Sequence, residues 1–197
     1  MISDKSRNGW IGASDTHFVM SNWDTTTFYK WWCEKLGLRT NQLNNVYLQT
    51  GNAKEHQIAN ALGVKLVLDR QVKIKKLRLR VNLDAETKDS IYEIKTYKIT
   101  EKEWKLPVAY RQQIQVQMFA TKKRKWGIVA YGLLEEDYNN FFLPIDPNRL
   151  KRFEIAYDEN WINTEYLPRL VYLAECLKKR KTPNKEEFER RNKNEKN

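Results

Sequence analysis

The sequence predicts a mixed α+β fold, a small central β-sheet flanked by helices. Helix-period apolar segments occupy the first sixty residues, and short β-former runs follow from about residue 65. A strongly apolar run from Trp126 to Leu133 suits the middle of the sheet.

In chain order, a short N-terminal arm ends at Gly12-Ala13-Ser14-Asp15, and Ser14 reads as the N-cap of a helix towards Met20. A second helix is expected from Thr25 to Leu36, with Phe28, Trp31, Trp32 and Leu36 facing the core and Gly37 closing it. A third spans Asn44 to Leu62, interrupted or restarted near Gly51 and stopped by Gly63. Strands are expected around Lys65–Val67, Gln71–Lys75, Leu77–Leu83 and Ile91–Tyr97. Pro107 opens a helix to about Lys122, offering Val108, Ile114, Met118 and Phe119 for packing. After the strand at Trp126 and the Pro144–Pro147 turn region, another strand covers Arg152–Tyr157. Asp158 begins a last helix carrying Trp161, Leu167, Leu170, Leu173 and Leu177. Residues 1–180 read as a single domain, and the polar, charged stretch 181–197 as a disordered tail.

The net charge of +11 points to an anionic partner, and nucleic acid is the natural one. Nine Lys/Arg against four Glu in residues 178–197 supply +5 of it, leaving +6 for the rest, where basic runs lie at Lys65–Arg80 and Lys122–Lys125. A solvated surface and a soluble tail would give the same totals. The sequence carries neither a signal peptide nor an apolar run long enough to span a bilayer. Cys33 and Cys176 lack metal-ligand spacing and read as buried free thiols of a reducing compartment, and His17 and His56 are too few for a zinc site or a histidine relay.

The chemistry concentrates at Asp84 and, nine residues on, Glu93-Ile94-Lys95. Side chains two apart on a strand share a face, so Glu93 and Lys95 point the same way, and a hairpin brings Asp84 beside Glu93. Two close carboxylates repel unless a cation lies between them, and hard divalent ions prefer such oxygen sites. A lysine on the same face can steer or deprotonate a water, a combination suited to phosphodiester hydrolysis. A solvated hairpin has the same spacing. Glu55, on a helix ahead of the sheet, could complete a metal site or simply face solvent. Gln113 and Gln117 lie one helical turn apart in Tyr110-Arg111-Gln112-Gln113-Ile114-Gln115-Val116-Gln117 and share a face, as water-holding amides or as an uncharged helix surface. Arg7, with Ser14 at a helix start, would suit a phosphate, or serve as a surface arginine and a plain cap.

This order of segments resembles the λ-exonuclease/YqaJ-like viral recombinase family of the PD-(D/E)XK nucleases. The carriers are Arg7 to Asp15, Gly51 to Glu55, Leu83-Asp84 with Glu93-Ile94-Lys95, and Ala109 to Gln115; Asp158-Glu159 at the start of the last helix is also similar, so the likeness covers about 7–180. It implies a restriction-endonuclease-like core, Mg²⁺ or Mn²⁺ dependence, and digestion of linear duplex DNA from 5′ ends for phage-type recombination. Asp84, Glu93 and the Ile94 backbone carbonyl would hold metal, with Glu55 assisting at its shell, directly or through water. Lys95 would orient the attacking water and Gln113 would position Lys95 or that water. Arg7 and Ser14 match positions that grip a 5′-phosphate; Asn82, Tyr110 and Gln115 complete the expected DNA contacts. A homo-trimer, a single-strand annealing protein as partner, and a bacterial cytoplasm as setting are also implied. Two departures stand out: the Asp-to-Glu spacing is shorter than in λ exonuclease, and Asn82 stands where that enzyme has a phosphate-contacting serine. An endonuclease or single-strand nuclease on the same core, a non-catalytic DNA-binding accessory subunit, and an RNA-binding scaffold are the competing readings.

Overall fold

A computed structural model describes residues 8–40, 46–125 and 127–194. The fold is mixed α+β, with a six-stranded mixed sheet flanked by helices. Its strands are β1 (Ile11–Gly12), β2 (Val67–Ile74), β3 (Leu79–Glu86), β4 (Ile91–Lys98), β5 (Ile128–Leu133) and β6 (Leu150–Phe153), in the order β1-β3-β4-β5-β6 with β2 also paired to β3. The β3–β4 and β5–β6 pairs are antiparallel; β1–β3 and β4–β5 are parallel. β5 is buried at every position, as a central strand flanked on both sides must be. The two strands expected at Lys65–Val67 and Gln71–Lys75 are one, β2, carrying Asp69 in the left-handed region (φ 56°). The strand expected to reach Tyr157 stops at Phe153.

The chain divides into two compact units. One comprises Met1–Asn41, Val72–Val81 and Asp158–Asn197. Here Ser14 is no N-cap. It sits exposed inside a 3₁₀ turn, Ala13–Asp15, leading into the short α1 (Thr16–Val19). Asp15 organises this turn: its Oδ2 accepts the Gly12 amide at 2.7 Å and meets Lys35 Nζ at 2.5 Å. Helix α2 (Thr26–Lys35) starts as its sequence dictates, with Thr25 Oγ1 accepting the Phe28 amide at 3.1 Å and Phe28, Trp31 and Trp32 buried. Gly37, at φ 73°, ends it.

In the same unit Asp158 caps the last long helical stretch, accepting the Trp161 amide at 2.8 Å. That stretch, interrupted rather than regular, runs through α6 (Glu159–Trp161), a π turn at Ile162–Tyr166, and α7 (Leu167–Lys178). Pro168 has no amide to donate back to the preceding turn, and the ladder widens there. The disordered tail expected from composition gives way to helix α8 (Lys185–Asn194). Its single apolar anchor, Phe188, is buried against Trp23 and Tyr172, at ring separations of 5.1 and 5.5 Å. Cys33 is half-buried rather than buried, and Cys176 is buried; both are free thiols.

The other unit comprises Gln42–Gln71 and Asn82–Tyr157. Helix α3 (Val46–Asn60) runs through Gly51 without the expected interruption. A Cβ at Gly51 would meet Thr96 Oγ1 of β4 at 3.1 Å, so the glycine serves a close helix–sheet approach rather than a break. Ile58 and Ala59 of α3 join Ala85, Ile94, Val129, Tyr131 and Leu133 of the sheet in one apolar cluster. Helix α4 (Val108–Thr121) begins after Pro107 and buries Ile114, Val116 and Met118; Val108, expected to pack, is exposed. A short α5 (Glu135–Asn139) supplies Asp137, fully buried between Lys54 (3.0 Å) and Arg149 (2.6 Å). Among the described residues no helix is long and apolar enough to cross a membrane.

Candidate active site

The register Ala85↔Tyr92 and Glu86↔Ile91 carries the β3–β4 pairing up to Asp84, which comes level with Glu93. There the backbone ladder ends. In its place Asp84 Oδ2 accepts the Ile94 amide at 2.7 Å, a side chain standing in for a strand. Alternate residues of a strand turn their amide and carbonyl to the same neighbour, so with the Glu93 amide bonded to Gly127 O on the β5 side (3.1 Å), Ile94 turns its backbone towards Asp84.

Glu93 is the centre of the arrangement and only 2 % exposed. Its Oε1 accepts from Lys95 Nζ and from Gln113 Nε2, each at 2.5 Å, and its Oε2 accepts from Gln117 Nε2. A buried carboxylate is costly unless its lone pairs are met, and here two amides and an ammonium meet them. Gln113 and Gln117 do so because positions four apart on α4 lie on one face. Lys95 also lies over the Tyr110 ring, 5.1 Å from its centroid.

The acids interact strongly. Burial first, then the charges of Glu93 and Glu55, push the Asp84 carboxyl well above the usual carboxylate range, against the pull of Lys95 and the Ile94 amide. Burial, then Glu93 and Asp69, raise Glu55, while His56 and Lys95 pull it down. Although burial disfavours its charge, Glu93 and Asp84 keep the Lys95 ammonium above the ordinary lysine value. Three mutually repelling carboxylates with hard oxygen donors fit a divalent cation, which would relieve the repulsion.

Glu55, Asp84, Glu93, Lys95, Gln113 and Tyr110 thus belong to one neighbourhood. Asn82 borders it, its carbonyl 3.4 Å from Gln117 Nε2 and its Oδ1 accepting Gln71 Nε2 at 3.0 Å. Gln115 does not face Glu93; it is buried, and its amide donates to the Ala156 carbonyl at 2.6 Å. Ser14 belongs to the other unit, and Arg7 lies outside the described residues. Gln117, which the four-residue spacing places on the same face as Gln113, completes the Glu93 clamp by donating to the carboxylate itself. Glu55 also borders exposed His56 and Asp69, joined at 2.9 Å; among the described residues these three possible ligands close to within 4.8 Å of one another. No sequence spacing announced Asp69.

The family model of the YqaJ-like viral recombinase domain matches residues 4–124. An alkaline exonuclease from Laribacter hongkongensis, LHK-Exo, is similar in structure at 20% identity and TM-score 0.58, covering 89% of this chain and 95% of that one. The same enzyme in complex with dAMP gives 19% identity and TM-score 0.63, covering 89% and 91%. A phage-related exonuclease from Haemophilus somnus 129PT follows at 15% and 0.59, covering 88% and 95%. No curated protein matches.

Proposed function

Because the chain belongs to the YqaJ-like viral recombinase family, we propose that it is a divalent-metal-dependent deoxyribonuclease that digests linear duplex DNA from its 5′ ends. The observation that carries this reading is the grouping of Asp84 with Glu93 and Lys95, in which burial and then the Glu93 carboxylate make the Asp84 charge costly and a cation between the two acids would relieve it.

Asp84, Glu93 and the Ile94 carbonyl would hold Mg²⁺ or Mn²⁺, with Glu55 at its shell directly or through water. The bound ion supplies neutralisation of the scissile phosphate and activation of water. Lys95, kept protonated by its acidic neighbours, acts as a donor that orients the water and the phosphate rather than as a base. Gln113 fixes the Glu93 oxygen that Lys95 also uses, and so positions both. The Tyr110 ring lies under the Lys95 ammonium and helps to hold it in place. Arg7 and Ser14 are the positions that the family likeness assigns to a terminal 5′-phosphate; Asn82, Tyr110 and Gln115 are the remaining assigned DNA contacts, of which Gln115, already engaged with Ala156, serves as a buried support. The setting is phage-type recombination in a bacterial cytoplasm, as a homo-trimer beside a single-strand annealing protein.

The test is digestion of end-labelled linear duplexes with and without a 5′-phosphate, beside closed circular DNA, in Mg²⁺. The reading expects loss of the phosphorylated linear duplex alone, and none with Asp84→Ala or Lys95→Ala. Equal digestion by all three proteins refutes the assignment. Cleavage of the closed circle makes it an endonuclease.

A further inference from the structure

The unit that holds β1, α7 and α8 carries a groove of about 510 Å³ whose chemistry the nuclease reading does not use. Lys75, Lys76, Arg78 and Lys178 line it together with Trp10. Glu175 is the acid on its wall, and that carboxylate is already bound to Arg191 at 2.9 Å. None of the four cations has a carboxylate within ion-pair distance among the described residues. Like charges so gathered repel, and an anion spread along the groove relieves them.

The local backbone builds this feature. Lys75–Leu77 form a 3₁₀ turn between β2 and β3, and Arg78 closes it in the left-handed region (φ 49°), its amide on Lys75 O. Glycine takes that conformation without strain, yet the position carries a guanidinium. The Arg78 carbonyl in turn accepts the Ile11 amide at 2.8 Å, which ties the basic turn to the strand directly following Trp10. Trp10 is half-buried, with the Lys73 ammonium 5.4 Å from its ring centroid.

We propose that this groove is a binding site for single-stranded nucleic acid, its cations holding the phosphodiester backbone and Trp10 offering a platform to a base. An aromatic among cations selects a single strand, because the face of a base is open to stacking only when the base has left the duplex. An acidic protein segment would satisfy the charges but has no use for the indole.

The test uses the full chain in EDTA, so that no cleavage occurs and the outcome does not depend on the nuclease reading. Binding of a short fluorescein-labelled oligothymidylate is followed by anisotropy across a salt series. Lys75→Glu/Lys76→Glu is expected to weaken binding by about tenfold or more and to lower the salt slope by about 1.4. Lys30→Glu/Lys88→Glu, with the same change of net charge at exposed positions outside the groove, should leave affinity within about twofold of wild type. Trp10→Leu should cost about fivefold or more and Trp10→Phe much less, each at the wild-type unfolding midpoint. Wild-type affinity in the lysine pair, wild-type affinity in Trp10→Leu, or displacement of the oligonucleotide by polyglutamate as readily as by its unlabelled self would each overturn the proposal.

Discussion

Gln117 donates its side-chain amide to Glu93 Oε2, the oxygen that neither Lys95 nor Gln113 occupies. Glu93 is therefore held at both oxygens before any substrate arrives. A hydrogen bond to a buried charged group contributes about 1.5–3 kcal/mol, so Gln117→Leu should lower stability by about that amount. It should also depress the Mg²⁺-dependent rate through kcat more than through KM, since the Glu93 oxygen that it frees is displaced from its bound position. Unfolding in urea and steady-state digestion of a linear duplex check the two effects; an unchanged rate at reduced stability would make Gln117 a packing residue only.

Asp84 carries a sharper prediction, because its pKa is raised. An acid raised in the folded state keeps its proton longer there than in the unfolded chain, so its ionisation costs stability above the ordinary value of 3.8. Asp84→Asn, which mimics the protonated form, should raise the unfolding temperature of the metal-free protein at pH 8. The gain should shrink as pH falls towards 3.8. The same variant should lose any stabilisation by Mn²⁺. Calorimetric scans with a chelator and with Mn²⁺ at several pH values check both; destabilisation at pH 8 would contradict the sign.

Gly51 lies one turn before Glu55 on α3 and faces Thr96 of β4. Gly51→Leu would push the helix off the strand and should cost about 1–3 kcal/mol from overpacking. Because it moves the turn that carries Glu55, activity should fall further than the stability loss accounts for. Digestion rates measured well below the variant's unfolding midpoint separate the two.

Asp137 behaves oppositely to Asp84. Although burial raises it, the Leu134 amide, Lys54 and Arg149 lower its pKa below the usual 3.8. Its stability contribution is present above 3.8 and is lost as pH falls below that value. Asp137→Ala strands the fully buried Lys54 ammonium and should cost about 3–5 kcal/mol at pH 7, measured by urea unfolding. A cost below 1 kcal/mol, the usual worth of a surface pair, would contradict it.

Local chemistry was the legible part of this fold. Thr25 and Gly37 bracket α2 because caps and left-handed closures are decided within a few residues, and Glu93 with Lys95 share a face by strand geometry alone. What escaped depends on distant partners. Ser14 lost its capping role to Asp15, which also answers Lys35, twenty residues on. Gly51 looked like a break because Thr96, its reason for being small, lies in another element. The charged stretch after residue 181 forms α8 around one phenylalanine, whose partners Trp23 and Tyr172 no local window contains. Among the site residues, Gln115 read like its neighbours, but two residues of helix turn it from the Glu93 face towards Ala156.

Glu55 borders two possible ligand groups, Asp84 with Glu93 and His56 with Asp69, and calorimetric titration with Mn²⁺ separates them. Wild type and His56→Ala/Asp69→Ala should bind the ion alike, whereas Asp84→Ala and Glu93→Ala should lose it. Retention of Mn²⁺ by Asp84→Ala and Glu93→Ala, or its loss in His56→Ala/Asp69→Ala alone, would contradict a catalytic metal centre at Asp84 and Glu93.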